Sequence, residues 1–159
     1  MELKIVTIPD PILTKKTQLV KTIDASLKKL VTDMIEACRK ANGVGLAAPQ
    51  IGKSIRLCII NLEHSGLPPF ALVNPKITKK SWKKIDMEEG CLSIPGVFGI
   101  VKRPEKITVY AENLQGEGHS FEANSMLARV IQHEIDHLDG ILFTSKIIKQ
   151  TSGKPKEKM

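Results

Sequence analysis

Apolar residues recur at helical spacing in two stretches of the chain. Over residues 25–41 they follow three- and four-residue steps, which predicts an amphipathic helix. Asp24 is a suitable N-cap for it, and Asn42-Gly43 is a suitable stop signal. The second periodic stretch covers residues 125–138 and is apolar over much of its circumference. We therefore expect this second helix to lie in the core of the protein.

The remaining apolar residues form short runs that are separated by turn residues. Strands are predicted at 55–61, 70–74, 106–112 and 119–123, and an extended lysine-rich segment at 77–88. Pro75 is expected to end the second strand, and residues 97–102 are expected to form a glycine-containing loop. Short strands without alternating long helices favour antiparallel or mixed sheets over a doubly wound sheet. The predicted fold class is α+β, with the second helix packed among short sheets and the first helix N-terminal to it.

The length of 159 residues is that of one domain. No apolar run approaches the roughly 18–20 residues of a membrane span, and the first residues lack the character of a signal peptide. The cysteines are three, an odd number, and are widely spaced: Cys38, Cys58 and Cys91. This usage favours a reducing compartment. We expect a cytoplasmic protein with one domain over residues 1–148 and a disordered lysine-rich tail over residues 149–159.

The net charge of +7 is concentrated at one end, because residues 146–159 carry +4 of it. Aromatic residues are few, and we expect them not to interleave with the basic residues, so a nucleic-acid platform is poorly supported. No DNA or membrane partner is expected. A solvated tail is the favoured interpretation of the lysine run, and a transient contact with ribosomal RNA is the alternative.

Candidate chemistry lies in the second predicted helix. His133 and His137 are four residues apart, so their imidazoles lie on one helix face and can bind one metal ion. Glu134 follows the first histidine, where its carboxylate can act as general base for a water molecule. An exposed helix with two unrelated histidines is the alternative interpretation.

A catalytic metal site needs a third protein ligand. A metzincin protease would place a third histidine where this chain has Phe143. A thermolysin-like protease would use a downstream carboxylate, and only Asp139 and Glu157 follow the motif. Cys91 remains, since a thiolate suits an ion already bound by two imidazoles. A nucleophilic Cys91 with His133 as its base is the alternative.

Small residues dominate the segment from Gly43 to Gly52. Within it, a tight loop ends at the amide side chain of Gln50. It has neither the third glycine of a dinucleotide-binding loop nor the Gly-Lys-Ser/Thr ending of a phosphate loop. Glycines let a backbone approach another group closely. The segment is either a wall that faces a ligand or an ordinary connection between a helix and a strand.

Three motifs occur together and in order: Gly43–Gln50, Glu89–Ser93 and His133–His137. With Pro9–Leu13 at the start, they make the chain resemble bacterial-type peptide deformylases over nearly its whole length, to about Ile147. The resemblance implies one compact α+β catalytic domain. It also implies hydrolysis of the N-formyl group from the initiator methionine of nascent peptides, with release of formate.

The resemblance further implies the roles of individual residues. Cys91, His133 and His137 would hold one divalent ion per chain, with Fe²⁺ expected and Zn²⁺, Ni²⁺ or Co²⁺ possible. Glu134 would take a proton from the attacking water and pass it to the leaving amine.

Other residues would bind the substrate or orient the site. Gln50 and the backbone N–H of Leu92 would stabilise the oxyanion, and the Gly45 backbone would bind the peptide in an extended pose. Glu89 and Arg103 either orient the metal ligands or form an ordinary surface ion pair.

An apolar pocket beside the ion is predicted from Val44, Met126 and Val130, and it suits a methionine side chain. Core packing is the alternative role of these three residues. Two other functions remain open on the sequence alone. The chain could be a zinc metallopeptidase, or a catalytically inactive protein that binds a metal or a peptide.

Overall fold

A computed structural model describes residues 2–153, and these residues form two α-helices and eight strands. Helix α1 spans Ala25–Lys40 and helix α2 spans Ser125–Leu138. The strands are β1 Gly45–Ala47, β2 Leu57–Ile60, β3 Phe70–Lys80, β4 Lys84–Cys91, β5 Ile94–Pro104, β6 Lys106–Glu112, β7 Gly118–Asn124 and β8 Ile147–Ser152. Neither helix of this described part is long and apolar enough to cross a membrane. The predicted α+β class is confirmed, and both helices begin and end within one residue of their predicted bounds.

The strands form two antiparallel sheets. The larger sheet has the order β1-β2-β3-β6-β7, and the smaller sheet has the order β4-β5-β8. All pairings between these strands are antiparallel. The hairpin of β6 and β7 agrees with the predicted strands at 106–112 and 119–123.

Strand β2 shows why the larger sheet is apolar on both faces. Cys58 and Ile60 pack into the apolar cluster that contains the buried residues of α2. Leu57 and Ile59, which point to the opposite face, pack with the buried residues of α1. The four residues are fully buried because a helix covers each face of the sheet, and α2 is thereby fixed against the sheet.

Helix α2 ends in a Schellman motif directly after the second histidine of the motif. Gly140 has a φ of +75°, and its N–H donates to the carbonyl oxygen of His137 over 3.1 Å. The N–H of Ile141 donates to the carbonyl oxygen of Asp136 over 2.8 Å. These two bonds satisfy carbonyl groups of the last turn and hold His137 in regular helical geometry.

Two predictions about where strands are interrupted are wrong. Strand β3 continues through Pro75, because two residues of β3 face one of β6 between the pairs Val73–Glu112 and Lys76–Tyr110. At such a bulge a residue can lack a ladder hydrogen bond, so proline is tolerated. The loop expected at 97–102 is part of the long strand β5, in which Gly99 lies against the side chain of Ile147 instead of in a turn.

The predicted start of the tail is also wrong. Residues Ile147–Ser152 form β8 and pair with β5, so a boundary between residues 148 and 149 would cut a strand. The pairing partner is distant in the sequence, and the local composition does not reveal it. The rest of the expected tail, residues 154–159, lies outside the described residues.

The expectation that aromatic and basic residues do not interleave fails at one hairpin. The turn between β3 and β4 carries Trp82 between two pairs of lysines, and the indole side chain is fully exposed.

Candidate metal centre

Three possible metal ligands converge where the smaller sheet meets α2. Cys91 is the last residue of β4, and His133 and His137 lie one turn apart on α2. One potential ligand atom from each residue lies within 4.8 Å of the other two. The Sγ atom of Cys91 is 3.2 Å from Nε2 of His137, and the two imidazole centroids are 5.0 Å apart.

The ring of His133 is oriented by two neighbours. Its Nδ1 atom lies 3.0 Å from Oε1 of Glu89, to which it can donate. The ring of Phe143 packs against it with a centroid separation of 5.8 Å. A carboxylate that accepts from Nδ1–H leaves Nε2 bare, which is the state that binds a metal.

The pKa values of the two imidazoles shift in opposite directions. Burial lowers the pKa of His133, but hydrogen bonds to Cys91 and Glu89 outweigh it, so the net shift is upward. Burial and the charge of His133 lower the pKa of His137 well below its ordinary value. Nδ1 of His137 is buried and has no hydrogen-bond partner among the described residues. A partly buried thiol and two buried imidazoles this close together are a donor set for a borderline divalent ion.

Glu134 is buried beside these three residues. Its Oε1 atom has no hydrogen-bond partner within the described part of the chain. Burial raises the pKa of Glu134 to about 7, although the charge of His133 opposes the shift. A carboxyl group with a pKa near neutral pH can both accept and return a proton.

Gly45 lies directly against the Glu134 carboxylate. A Cβ atom at position 45 would come within 2.6 Å of Oε2 of Glu134, closer than carbon and oxygen normally approach. Only glycine therefore lets β1 and this carboxylate adopt their observed positions.

We expect Gly45→Ala to lower the rate of the reaction in which Glu134 transfers a proton, because the added methyl group displaces the Glu134 carboxylate. A misplacement of about 1 Å can reduce a rate by about 100-fold. Steady-state kinetics would measure this loss, with the thermal unfolding midpoint as a control for folding. A variant with the wild-type turnover number would show that the position of Glu134 tolerates the methyl group.

Glu89 is the centre of a buried ionic network. Arg103 donates to it twice, from Nε over 2.6 Å and from Nη2 over 2.9 Å, and Nη1 of Arg129 donates over 2.8 Å. Burial raises the pKa of Glu89, but hydrogen bonds from His133 and Arg103 outweigh it and hold the pKa well below its usual range. Both Glu89 and Arg103 are buried, which differs from a surface ion pair. Arg103 also donates to Asp136 over 2.8 Å and so connects the network to α2.

Sequence reasoning did not identify Arg129 as part of the site. Arg129 lies one turn before His133 on α2 and is only 4% exposed. Besides Glu89, it donates to the carbonyl oxygens of Val101 and Ile85, each over 2.7 Å. The sequence did contain one signal for this residue: it is a positive charge four positions before His133, on the histidine-bearing side of an apolar helix. Its partners, however, come from strands that are distant in the sequence.

We expect Arg129→Met to destabilise the fold by about 3–5 kcal/mol, the usual cost of removing one partner of a buried ion pair. The two carbonyl oxygens would also lose their donors. Urea unfolding measures the change, and Arg129→Lys, which keeps the charge but not the fork of donors, should recover part of the stability. Wild-type stability in Arg129→Met would show that Arg103 alone compensates Glu89.

Gln50 is held in a fixed orientation by both ends of its amide. Its Oε1 accepts from the N–H of Ala47 over 2.9 Å. Its Nε2 lies 3.1 Å from Oγ of Ser93 and 3.6 Å from Sγ of Cys91. The side-chain donor of Gln50 therefore points to the ligand cluster. Leu92 lies in the two-residue turn that joins β4 to β5.

The backbone of Gly45 faces an open sheet edge. Strand β1 is at the edge of the larger sheet. Gly45 is opposite Ile60, and the N–H of Asn61 donates to the carbonyl oxygen of Val44. This pattern makes Gly45 and Ile60 a non-hydrogen-bonded pair, so the N–H and C=O of Gly45 point away from β2. They are available to an added strand.

A cleft of about 450 Å³ lies between this edge, the end of β4 and the side of α2. His133, Glu134, Cys91 and Gln50 are in its wall. The three residues of the predicted apolar pocket, Val44, Met126 and Val130, line the cleft. Its apolar surface is extended by Met87, Leu92 and Phe98. The same cleft therefore contains the donor cluster, the carboxylate and an apolar surface, which is the arrangement of a metal-dependent hydrolase.

Comparison with known proteins identifies the family. A family model described as polypeptide deformylase matches residues 2–152. The chain belongs to this family. The metallopeptidase alternative finds no support among the relatives described below.

Curated relatives agree with the family match. The chain is 46% identical to a peptide deformylase of Dictyoglomus thermophilum over 142 residues, covering 89% of this chain and 90% of the relative. It is 45% identical to a peptide deformylase of Chlorobaculum parvum, covering 94% and 82%. The crystal structure of peptide deformylase from Thermotoga maritima is similar with a TM-score of 0.89, at 39% identity, and covers 92% of this chain and 98% of that one.

Proposed function

We propose that this chain hydrolyses the N-formyl group of the initiator methionine of nascent peptides and releases formate. The observation that carries this proposal is the position of Glu134. Its carboxylate shares a cleft wall with Cys91 and His133 and lies against the edge backbone of Gly45, and its Oε1 atom has no hydrogen-bond partner among the described residues. This arrangement brings a proton acceptor, a metal-binding cluster and a peptide-binding edge into one cleft.

A divalent ion bound by Cys91, His133 and His137 would polarise the formyl carbonyl and lower the pKa of a water molecule. Glu134 would accept a proton from the attacking water at Oε1. The water oxygen then forms a bond to the formyl carbon. Glu134 would return the proton to the amide nitrogen as the C–N bond breaks, and the products are formate and a free amine.

The oxyanion that develops on the formyl oxygen needs fixed donors. Gln50 can supply its Nε2–H, because Ala47 and Ser93 hold its amide in place. Leu92 can supply its backbone N–H from the turn that follows Cys91. Removing one such donor costs about 2.7–4 kcal/mol of activation free energy in hydrolases.

The substrate would bind as an added strand along β1, with hydrogen bonds to the N–H and C=O of Gly45. Its methionine side chain would then enter the apolar part of the cleft between Val44, Met126 and Val130. A flexible thioether suits an irregular apolar pocket of this kind. Glu89 and Arg103 would keep the ring of His133 in position for the metal.

We propose Fe²⁺ as the native ion; the donor set also suits Zn²⁺, Ni²⁺ and Co²⁺. The thiolate of Cys91 is open to oxidation because this residue is only partly buried. We expect a sample prepared without oxygen and loaded with Fe²⁺ to lose activity in air, while the same protein loaded with Ni²⁺ retains more. Activity assays over time would measure both samples. An iron-loaded sample that stays fully active in air would contradict the iron proposal.

The cellular setting follows from the substrate. Since nascent peptides are made in the cytoplasm of bacteria, we propose a cytoplasmic enzyme that makes transient contact with the ribosome. We also propose that the described residues form one catalytic domain, since β8 ties the end of this region to β5.

The direct test is formate release from a formyl-Met-Ala peptide compared with cleavage of unformylated Met-Ala-Ser. We expect formate from the first peptide and no new amine from the second. Internal cleavage of the unformylated peptide would support a peptidase. No reaction with either peptide, at one bound metal ion per chain, would support an inactive binding protein.

A further inference from the structure

The hairpin between β3 and β4 has a composition that its fold does not require. Residues Lys79 to Lys84 form this segment, called here the lysine–tryptophan hairpin. Its four lysines are exposed and surround Ser81 and Trp82, and the side chain of Trp82 is 100% exposed. A tryptophan that could bury on the order of 200 Å² is thus presented entirely to solvent.

The tip of this hairpin is held in place by the start of β6. The N–H of Ser81 donates to the carbonyl oxygen of Lys106 over 2.9 Å, and Oγ of Ser81 accepts from the N–H of Lys106 over 3.1 Å. The N–H of Glu105 donates to the carbonyl oxygen of Lys83 over 3.0 Å. The backbone that carries Trp82 is therefore fixed, and binding would cost little ordering of this segment.

The positive charge of the hairpin is mostly uncompensated. Lys83 lies 3.5 Å from Glu105. Within residues 2–153, no carboxylate forms an ion pair with Lys79, Lys80 or Lys84. Lys106, on the adjacent strand, is also exposed. A fully exposed aromatic ring is thus flanked in the sequence by exposed lysines.

We propose that the lysine–tryptophan hairpin binds unpaired RNA. An unstacked base can lie on the indole of Trp82 while the lysines contact the neighbouring phosphates. RNA fits this surface better than a lipid bilayer does, because one apolar side chain among lysines gives little area for insertion. The biological setting rests on the proposed function, since a deformylase that meets nascent peptides works close to ribosomal RNA.

The position of the hairpin leaves the cleft open. Strand β4 runs from Lys84 to Cys91. Seven steps of about 3.3 Å place Lys84, at the base of the tip, about 23 Å from Cys91 along this strand. RNA bound at the tip would therefore leave the Cys91 end of the cleft uncovered, and a peptide could still reach the β1 edge.

Trp82 is the only tryptophan of the chain, so its fluorescence reports directly on this surface. We expect a twelve-nucleotide oligouridylate to quench the fluorescence of the full chain, with an affinity that falls as salt rises. The logarithmic salt slope should approach about −3 if four lysines contact phosphates. By fluorescence anisotropy of a labelled oligonucleotide, Trp82→Ala should bind roughly 5- to 150-fold more weakly, the loss expected for one stacked base.

A matched control separates specific contacts from net charge. Changing the hairpin lysines to glutamine should reduce RNA affinity and the salt slope. The same change at four exposed lysines elsewhere should leave most of the affinity: Lys15, Lys16, Lys21 and Lys28. Equal losses in both variants, or unchanged binding in Trp82→Ala, would overturn the proposal. Quenching by anionic phosphatidylglycerol vesicles but not by RNA would assign the surface to a membrane instead.

The RNA measurement needs no formylated substrate, so its outcome does not depend on the proposed activity. Formate release from a short formyl peptide should be unchanged in all of these variants. A loss of RNA binding with normal formate release identifies the hairpin as a docking surface. RNA binding without formate release would contradict the proposed function alone.

Discussion

Formate release should fall by about 10²- to 10⁴-fold in Glu134→Gln, the usual contribution of a general acid–base residue. Glutamine has nearly the shape of glutamate but cannot accept the proton of the attacking water. The affected atom is Oε1, which is buried and has no hydrogen-bond partner among the described residues. Because the proposed metal ligands are unchanged, the metal content should stay near one ion per chain.

Two measurements on the same Glu134→Gln sample make this prediction specific. Metal analysis shows whether the site is still loaded, and circular dichroism shows whether the chain is folded. A loaded, folded variant with wild-type formate release would remove Glu134 from the mechanism. A variant that loses its metal would instead assign Glu134 to the stability of the site.

Cys91→Ala should lose both metal and activity. The thiolate is one of three proposed ligands, and its Sγ atom lies 3.2 Å from Nε2 of His137. Loss of a residue that only orients a ligand already costs about 10- to 100-fold in metal affinity, so loss of a ligand should cost more than 100-fold. Equilibrium dialysis against a chelator measures the affinity.

Cys58→Ala is the matched control for Cys91→Ala. Cys58 is fully buried in the core beside α2, and burial raises its pKa well above the ordinary value, so it is an inert thiol. This control should bind metal and release formate as the wild type does. The alternative in which Cys91 is a nucleophile predicts activity in protein stripped of metal, together with a formylated Cys91 detectable by mass spectrometry.

The sequence indicated the helices and the ligand motif because their signals are local. Helical spacing of apolar residues predicts α1 and α2, and two histidines at positions i and i+4 lie on one face in any helix. The same spacing indicates that α2 is buried over most of its circumference. These features need no knowledge of distant residues.

The errors concern features that depend on pairing between distant segments. Pro75 was expected to end a strand, yet a bulge opposite β6 accommodates it. Gly99 suggested a loop, but it allows the side chain of Ile147 to pack on β5, where a Cβ atom would come within 2.7 Å. The composition of residues 149–152 suggested a tail, and only the pairing of β8 with β5 makes them part of a strand.

The candidate site likewise contains residues that local motifs reveal and residues that only the pairing of distant segments reveals. Its possible ligands could be read from short motifs. The buried network could not, because Glu89 and Arg103 come from paired strands. Arg129 reaches these strands from α2, where it donates to Glu89 and to the carbonyl oxygen of Val101. Glutamate and arginine are usually surface residues, so the sequence alone left a role in orienting the metal ligands and an ordinary surface ion pair equally open.

The most direct test is a titration of metal-stripped protein with Fe²⁺ under anaerobic conditions, with formate release from formyl-Met-Ala measured at each step. We expect the rate to rise in proportion to bound iron and to level off at one ion per chain. His137→Ala should show neither tight binding nor activity. Formate release that is independent of bound metal, or its absence at full occupancy, would contradict a deformylase whose activity depends on the Cys91, His133 and His137 site.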